Sequence, residues 1–317
     1  MAEALWHISP TTSTLQKGSA ALKPEHCTVQ SLYSLVSTGT ERLVATGRVP
    51  TSLHESMSVP YMEGSFTFPV KYGYSLVGRV IEGDADWQDR VVHLLHPHQD
   101  ACTVRTADLF SVPKEVPPLR ATLASNLETA LNALWDAEVA VGDRVLVVGF
   151  GMIGALVARL LQAMPAVSVS VHDTDPERTA MATRAGFTVA SSSAHNFDIA
   201  FHSSSSEAGL QTSIEAVGPE GKVVELSWYG TQLVSIHLGG SFHQQRKRII
   251  SSQVSSLPMH RRARWDVRRR KEVVFELLKD AVFDQHITEV VSFEQLPSLF
   301  ERIRQNDRSA LGWGVKY

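Results

Sequence analysis

Residues 143–164, DRVLVVGFGMIGALVARLLQAM, decide the fold. Val145-Leu146-Val147-Val148 is an unbroken apolar run of strand length, the pattern of a strand buried on both faces of a parallel sheet. It leads directly into Gly149-Phe150-Gly151-Met152-Ile153-Gly154, which matches G-x-G-x-x-G, and an apolar helical pattern follows. In that setting each glycine has a physical task. Gly149 allows the tight turn, Gly151 lets the backbone approach a pyrophosphate, and Gly154 lets the helix pack closely on the sheet. Met152 and Ile153 fall in the first helical turn, where N–H groups and the helix dipole would face the phosphates. Asp173 ends the next strand-like run, where a carboxylate would hydrogen-bond ribose hydroxyls. A 2′-phosphate beside Asp173 is repelled, so NAD(H) is expected over NADP(H); Arg178 is the opposing feature, a cation that would accommodate that phosphate.

Outward from this stretch the pattern repeats. FDIAFHSS (197–204) and GKVVELSW (221–228) read as further strands separated by helix-like segments, and RKRIISSQV (246–254) as a last one. Strands alternating with helices predict a Rossmann-type, doubly wound α/β sheet. Upstream, Leu123, Leu127, Leu131 and Leu134 recur at helical spacing. Before them, residues 1–120 hold short β-like runs (26–37, 74–83, 89–95) broken by Pro50, Pro60, Pro113, Pro117 and Pro118, which predicts a β-rich domain. Downstream, 260–283 reads as a helix with a very basic start, and the tail as a short strand, a helix and a terminal strand.

The bulk properties set limits. A chain of 317 residues is long enough for two domains. With 43% hydrophobic residues and a formal charge of −3, it reads as globular, with no general basic field to hold nucleic acid. The first twenty residues lack a signal-peptide pattern, and no apolar run is long enough to span a membrane. The only cysteines, Cys27 and Cys102, cannot form a four-cysteine zinc site and are expected to pack in the core. A cytoplasmic location fits.

With these motifs in place, the chain resembles the medium-chain dehydrogenase/reductase superfamily, the alcohol-dehydrogenase-like proteins, over nearly its whole length. Ser37-Thr38-Gly39-Thr40-Glu41, Thr46-Gly47-Arg48-Val49-Pro50 and Lys71-Tyr72-Gly73-Tyr74-Ser75-Leu76-Val77-Gly78 resemble its zinc-lacking branch, near bacteriochlorophyllide-type dehydrogenases and uncharacterised relatives. The resemblance implies a β-rich GroES-like catalytic domain, residues 1–122 completed by 284–317, and a Rossmann NAD(P)-binding domain at 123–283. Zinc members carry Cys-Gly-Thr-Asp where this chain has Thr38-Gly39-Thr40-Glu41, and Gly-His-Glu where it has Gly73-Tyr74-Ser75; their third ligand falls near Ser125 or Asn126. Hydroxyls and phenols are poor zinc ligands beside thiolate and imidazole, so no zinc is expected.

Without a Lewis acid, hydrogen-bond donors must steady charge on the reacting oxygen. Thr40 matches the family hydroxyl that hands on the substrate proton, and Tyr74 replaces the metal-binding histidine; it either donates a phenolic hydrogen bond or only fills the zinc void. Glu41 and Glu128 are candidates for orienting or polar roles. His96, His98 and, just before the last Rossmann strand, His243 are candidates for substrate contact; His96-Pro97-His98 offers no third ligand in register for a metal. Ser203 and Ser204 end a strand that passes near the nicotinamide in the family, and Trp228 either narrows the nicotinamide pocket or packs.

These features predict a zinc-independent NAD(P)-dependent dehydrogenase or reductase working on an alcohol/carbonyl pair. The alternatives are an enone reductase of the same superfamily and a nucleotide-binding protein without turnover. The arginine-rich run 261–271 reads as a solvated helix start, or as an anion site for a carboxylated or phosphorylated small-molecule substrate, or as a subunit contact. Nucleic acid ranks last. Pairing through the 246–254 edge strand would make a homodimer.

Overall fold

The computed structural model describes residues 2–18, 22 and 24–317 and divides into two compact units, 126–270 and 1–125 with 271–317. The 126–270 unit is built on a six-stranded, wholly parallel sheet. Across it lie Thr188–Val189, Ser168–His172, Arg144–Val148, Phe197–His202, Val217–Glu225 and Arg248–Ser251. In chain order this is 3-2-1-4-5-6, the doubly wound Rossmann arrangement, with the strand order reversing beside Arg144–Val148. Val145 to Val148 are all buried, as the apolar run required. Leu146, Val148, Ala200 and Val223 share a core with Leu210 and Ile214 of the helix Glu207–Ala216.

The basic segment differs from its sequence reading. The helix runs only from Val267 to Leu277, with turns before it. Asp266 Oδ1 accepts the Arg269 N–H at 2.7 Å, the side-chain capping that starts helices. Of the arginines before it, Arg261 stacks on indole rings instead of lining a helix. Arg261 lies over Trp135 and Trp265, and Arg269 over Trp265 at 4.0 Å from the ring centre. The two indoles themselves meet at 4.8 Å.

The other unit joins two sheets. A seven-stranded sheet runs Glu289–Ser292, Trp313–Lys316, His26–Val36, Leu76–Glu82, Val91–Leu94 and Phe110–Ser111, with Ala101–Arg105 also pairing to His26–Val36. A four-stranded sheet holds Thr12–Gly18, Ala2–Ser9, Val70–Lys71 and Glu63–Gly64. The tail closes the core: Phe293, Leu296, Leu299, Phe300, Ile303 and Trp313 pack on Leu5, Val36 and Ala45. Residues 271–283, read from sequence with the nucleotide domain, lie in this unit. Arg120 explains their anchorage, donating to the Leu278 and Lys279 carbonyls and to Asp284. Cys27 and Cys102 are buried, unbridged and in one core cluster. Among the described residues no helix is long and apolar enough to cross a membrane.

Candidate functional site

The glycine turn is built as its sequence demands. Gly149 has φ +95°, and a Cβ there would lie 2.7 Å from the Ser204 nitrogen. A Cβ on Gly154 would lie 1.9 Å from the Gly149 oxygen, so only hydrogen fits between helix and turn. A Cβ on Gly151 would meet nothing within 4 Å. That open position caps the N-terminus of the helix Met152–Gln162, where a pyrophosphate finds backbone donors and the positive end of the helix dipole. The turn therefore fits a dinucleotide, with Gly151, Met152 and Ile153 as the backbone that would hold its phosphates.

Asp173 follows the strand Ser168–His172 and ties the turn down. Its Oδ2 accepts the Phe150 N–H at 2.6 Å, and its Oδ1 the Asp175 N–H at 2.9 Å. Arg178 is buried in the helix Pro176–Arg184, with Nη1 3.8 Å from Met181 Sδ. Ser203 turns its hydroxyl inward, donating to the Gly149 carbonyl at 2.9 Å, so it braces the turn. Trp228 is half-buried beyond the strand end at Glu225, and His243 is exposed on the short helix Ser241–Gln244.

In the other unit, Ser37 to Glu41 open the helix Thr38–Ala45. The Tyr74 phenol lies beside the Ser37 and Thr40 hydroxyls and the Glu41 carboxylate. Burial first, and the Glu41 carboxylate second, hold that phenol well above its ordinary range, against the pull of the two hydroxyls. Glu41 is fully buried. Its Oε1 accepts the Ser37 N–H at 2.9 Å, and its Oε2 lies 2.8 Å from His98 Nε2. His98 Nδ1 continues to Ser34 Oγ at 2.7 Å, and Ser34 to the Tyr317 hydroxyl at 3.0 Å. Glu41, His98, Ser34 and Tyr317 thus form one hydrogen-bonded run in the core, with the half-buried Thr40 and Tyr74 beside its start.

Two candidates stand apart from it. His96 is buried, with Nδ1 2.8 Å from the Pro97 carbonyl and its ring beside Tyr61. Burial, helped by the Lys71 and His98 charges and only partly offset by the Pro97 bond, pushes its pKa down to about 3, so the ring is neutral. Glu128 belongs to the 126–270 unit and pairs with Arg270 at 3.2 Å, both side chains buried. Arg270 also donates to Asn132 and to the Val254 carbonyl. The expectation for Glu128 is an orienting or polar role, and its charge is matched by Arg270 inside this unit. Ser125, at a supposed ligand position, donates to the Tyr74 carbonyl at 2.8 Å. Among the described residues no group of three or more His, Cys, Asp or Glu side chains is placed to hold a metal ion.

The sequence reading passes over a second polar cluster. His202 and Glu225 end adjacent parallel strands in register, and His202 Nδ1 lies 2.8 Å from Glu225 Oε2. Ser204 Oγ sits 2.6 Å from His202 Nε2, and the Tyr229 hydroxyl donates to Glu225 Oε2 at 3.1 Å. The available signal was a histidine and a glutamate each closing an apolar strand at a sheet's carboxyl edge.

No protein-family model matches the chain. D-guloside 3-dehydrogenase of Escherichia coli (strain K12) is 24% identical over 205 residues, and the aligned region spans 59% of this chain and 59% of that protein. The structure of 2R,3R-butanediol dehydrogenase from Bacillus subtilis superposes with a TM-score of 0.80 at 16% identity, covering 100% of both chains. A candidate zinc-binding dehydrogenase from Sinorhizobium meliloti 1021, bound to NADP, gives 0.80 at 15% identity over 100% and 99% of the two chains. Acetophenone reductase from Geotrichum candidum, with NAD, gives 0.78 at 15% identity over 100% and 97%. The fold is accordingly that of the medium-chain, alcohol-dehydrogenase-like proteins: a Rossmann sheet with a discontinuous β-rich partner unit.

Proposed function

We propose that the chain is a nicotinamide-dependent dehydrogenase that interconverts a secondary alcohol and a ketone without zinc. The observation that carries this reading is the Tyr74 phenol set beside the Thr40 and Ser37 hydroxyls, at a position where the resemblance gives zinc relatives a metal-binding histidine. Bound at the Gly149–Gly154 turn, the nicotinamide would supply the hydride chemistry. The chain's own task is to steady the reacting oxygen. Burial and the neighbouring Glu41 carboxylate keep the Tyr74 phenol protonated, so it serves as a donor rather than as a phenolate base. Thr40 is the hydroxyl that passes the alcohol proton, and the buried Glu41, held by His98 and accepting the Ser37 N–H, fixes the helix start that carries it. Thr38, Tyr74 and Ser125 offer hydroxyls in place of thiolate or imidazole, and the Ser125 hydroxyl is already committed to a carbonyl; this donor set does not fit zinc.

The substrate class is read from the relatives' names. Butanediol and a guloside both present a secondary alcohol beside a second oxygenated carbon, so a vicinal diol or a sugar-like polyol is the first choice. Asp173 favours NAD(H), and the buried Arg178 does not offset it. A second copy pairing at the edge strand Arg248–Ser251, where Ile249 is 37% exposed, would make a homodimer. Two free buried cysteines suit a reducing cytoplasm.

The test is turnover of NADH or NAD+ with a panel of diols, sugars, ketones and enones, run beside metal analysis. Oxidation of a secondary alcohol by metal-free protein supports the reading. Turnover with enones alone moves it to C=C reduction, nucleotide binding without turnover on the whole panel makes it a binding protein, and a requirement for stoichiometric zinc overturns the hydroxyl mechanism.

A further inference from the structure

The cluster around Glu225 lies at the carboxyl edge of the parallel sheet. A doubly wound sheet is two mononucleotide-binding halves, and ligands sit outside the carboxyl ends of its strands. The first half, strands Arg144–Val148, Ser168–His172 and Thr188–Val189, ends in Asp173 and takes the adenosine part. The nicotinamide part then falls to the second half, whose first two strands end at His202 and Glu225.

Every contact of Glu225 is one that a donor makes to a carboxylate. The Ser227 N–H donates to Oε1 at 2.7 Å, the Tyr229 hydroxyl to Oε2 at 3.1 Å, and His202 Nδ1 lies 2.8 and 3.0 Å from the two oxygens. The side chain is 14% exposed, so water screens it little. The Gly209 N–H donates to Ser206 Oγ, which lies 2.9 Å from Ser204 Oγ, which lies 2.6 Å from His202 Nε2. Hydroxyl protons running from Ser206 to Ser204 to Nε2 give each hydroxyl proton an acceptor. Nδ1 faces the Glu225 carboxylate, which also accepts from the Ser227 N–H and the Tyr229 hydroxyl.

We infer that the Glu225 carboxylate, held under the nicotinamide half of the sheet by His202, Ser227 and Tyr229, biases the bound cofactor towards its oxidised form. Oxidised nicotinamide is a cation and the reduced ring is neutral, so a fixed negative charge stabilises only the former. The inference rests on the nucleotide reading above. It assigns the bound cofactor a direction: with NAD+ stabilised over NADH, hydride leaves the reduced ring more readily, so ketone reduction is favoured on the protein relative to free solution.

The experiment titrates purified protein with NAD+ and with NADH separately, by calorimetry and by NADH fluorescence, for the wild type, Glu225→Gln and Tyr229→Phe. A unit charge acting over about 12 Å at an effective dielectric near 20 changes a cation's binding roughly tenfold. Glu225→Gln should therefore weaken NAD+ about tenfold relative to NADH, while Tyr229→Phe, which leaves the carboxylate in place, keeps the wild-type ratio or raises it. If Glu225→Gln does not fold, Tyr229→Lys sets an ammonium against the same carboxylate at a half-buried position and should lower the ratio likewise. An unchanged ratio, or an equal loss for both nucleotides, overturns the inference and leaves the cluster a packing device. Failure of the wild type to bind either nucleotide refutes instead the function it rests on.

Discussion

Gly151 and Gly154 lie one helical turn apart, yet an added methyl group should do opposite things at the two positions. At Gly154 the new Cβ would lie 1.9 Å from the Gly149 oxygen and 2.7 Å from Ser203 Oγ. The first of these is backbone in the turn itself and cannot swing aside. Ala is the better helix former by about 1 kcal/mol, but overpacking at a backbone contact costs about 3 kcal/mol or more. The net is a loss of about 2 kcal/mol, or roughly 5–10 °C in apparent melting temperature for a unit of this size. At Gly151 nothing lies within 4 Å and φ is −80°, so the backbone accepts Ala. A weaker N-cap and a less flexible unfolded chain nearly cancel, within about 1 kcal/mol. The methyl then stands where the pyrophosphate must approach, and NADH affinity should fall by about a hundredfold or more, equivalent to roughly 2.7 kcal/mol. Thermal unfolding and NADH fluorescence titration on both variants read the two effects apart. Wild-type binding by Gly151→Ala, or a melting temperature for Gly154→Ala at or above wild type, would refute this account of the turn.

Thr40→Val and Tyr74→Phe should each leave NADH binding within about twofold but lower kcat by roughly a hundred- to a thousandfold, the usual worth of one oxyanion-type donor, with Thr40→Val the more damaging; near-normal turnover in the double variant would exclude the hydroxyls. Asp173→Asn keeps an acceptor for the Phe150 N–H and removes the charge, so NADP(H) should gain on NAD(H) in paired titrations while the fold is unchanged. Removing Glu128 or Arg270 alone should destabilise by about 3–5 kcal/mol in denaturant unfolding, whereas Glu128→Leu with Arg270→Met should recover much of it. His96 is neutral in the folded chain down to about pH 3, while the unfolded ring binds its proton near pH 6.5. The unfolded state therefore holds more protons in that window, and stability falls as pH drops from about 6.5 towards 3. His96→Asn, which keeps a donor for the Pro97 carbonyl, should flatten that part of the profile.

What the sequence disclosed depended on how local the cause was. The Rossmann sheet follows from Val145–Val148 and the glycines, because a buried strand, a turn and a close-packed helix all leave marks within twenty residues. The strands at His26–Val36, Leu76–Glu82 and Val91–Leu94 were visible in the same way. Glu128 was not interpretable, since its partner Arg270 is 142 positions away and nothing local announces the pairing. The helix from 260 was drawn too long, because a run of arginines carries good helix propensity and the aromatic stacking that pulls Arg261 out of it is tertiary. His202 and Glu225 were missed for a further reason: each looks ordinary alone, and only strand register sets them side by side.

The closing role of the tail has a consequence for how the chain is made. Residues 126–270 are one uninterrupted stretch, whereas the unit around them is written in two pieces. During synthesis the parallel sheet can be completed while the front piece still lacks Phe293, Leu296, Phe300 and Trp313, the cover for Leu5, Val36 and Ala45. At about 5–20 residues per second, the nascent chain holds an uncovered apolar face and an unpaired edge on His26–Val36 for several seconds after the inserted unit is available. The strand Trp313–Lys316 follows the inserted unit in the chain and pairs with His26–Val36, which precedes it. Chaperone demand should therefore be set by the arrival of residues 289–316 rather than by the nucleotide-binding core.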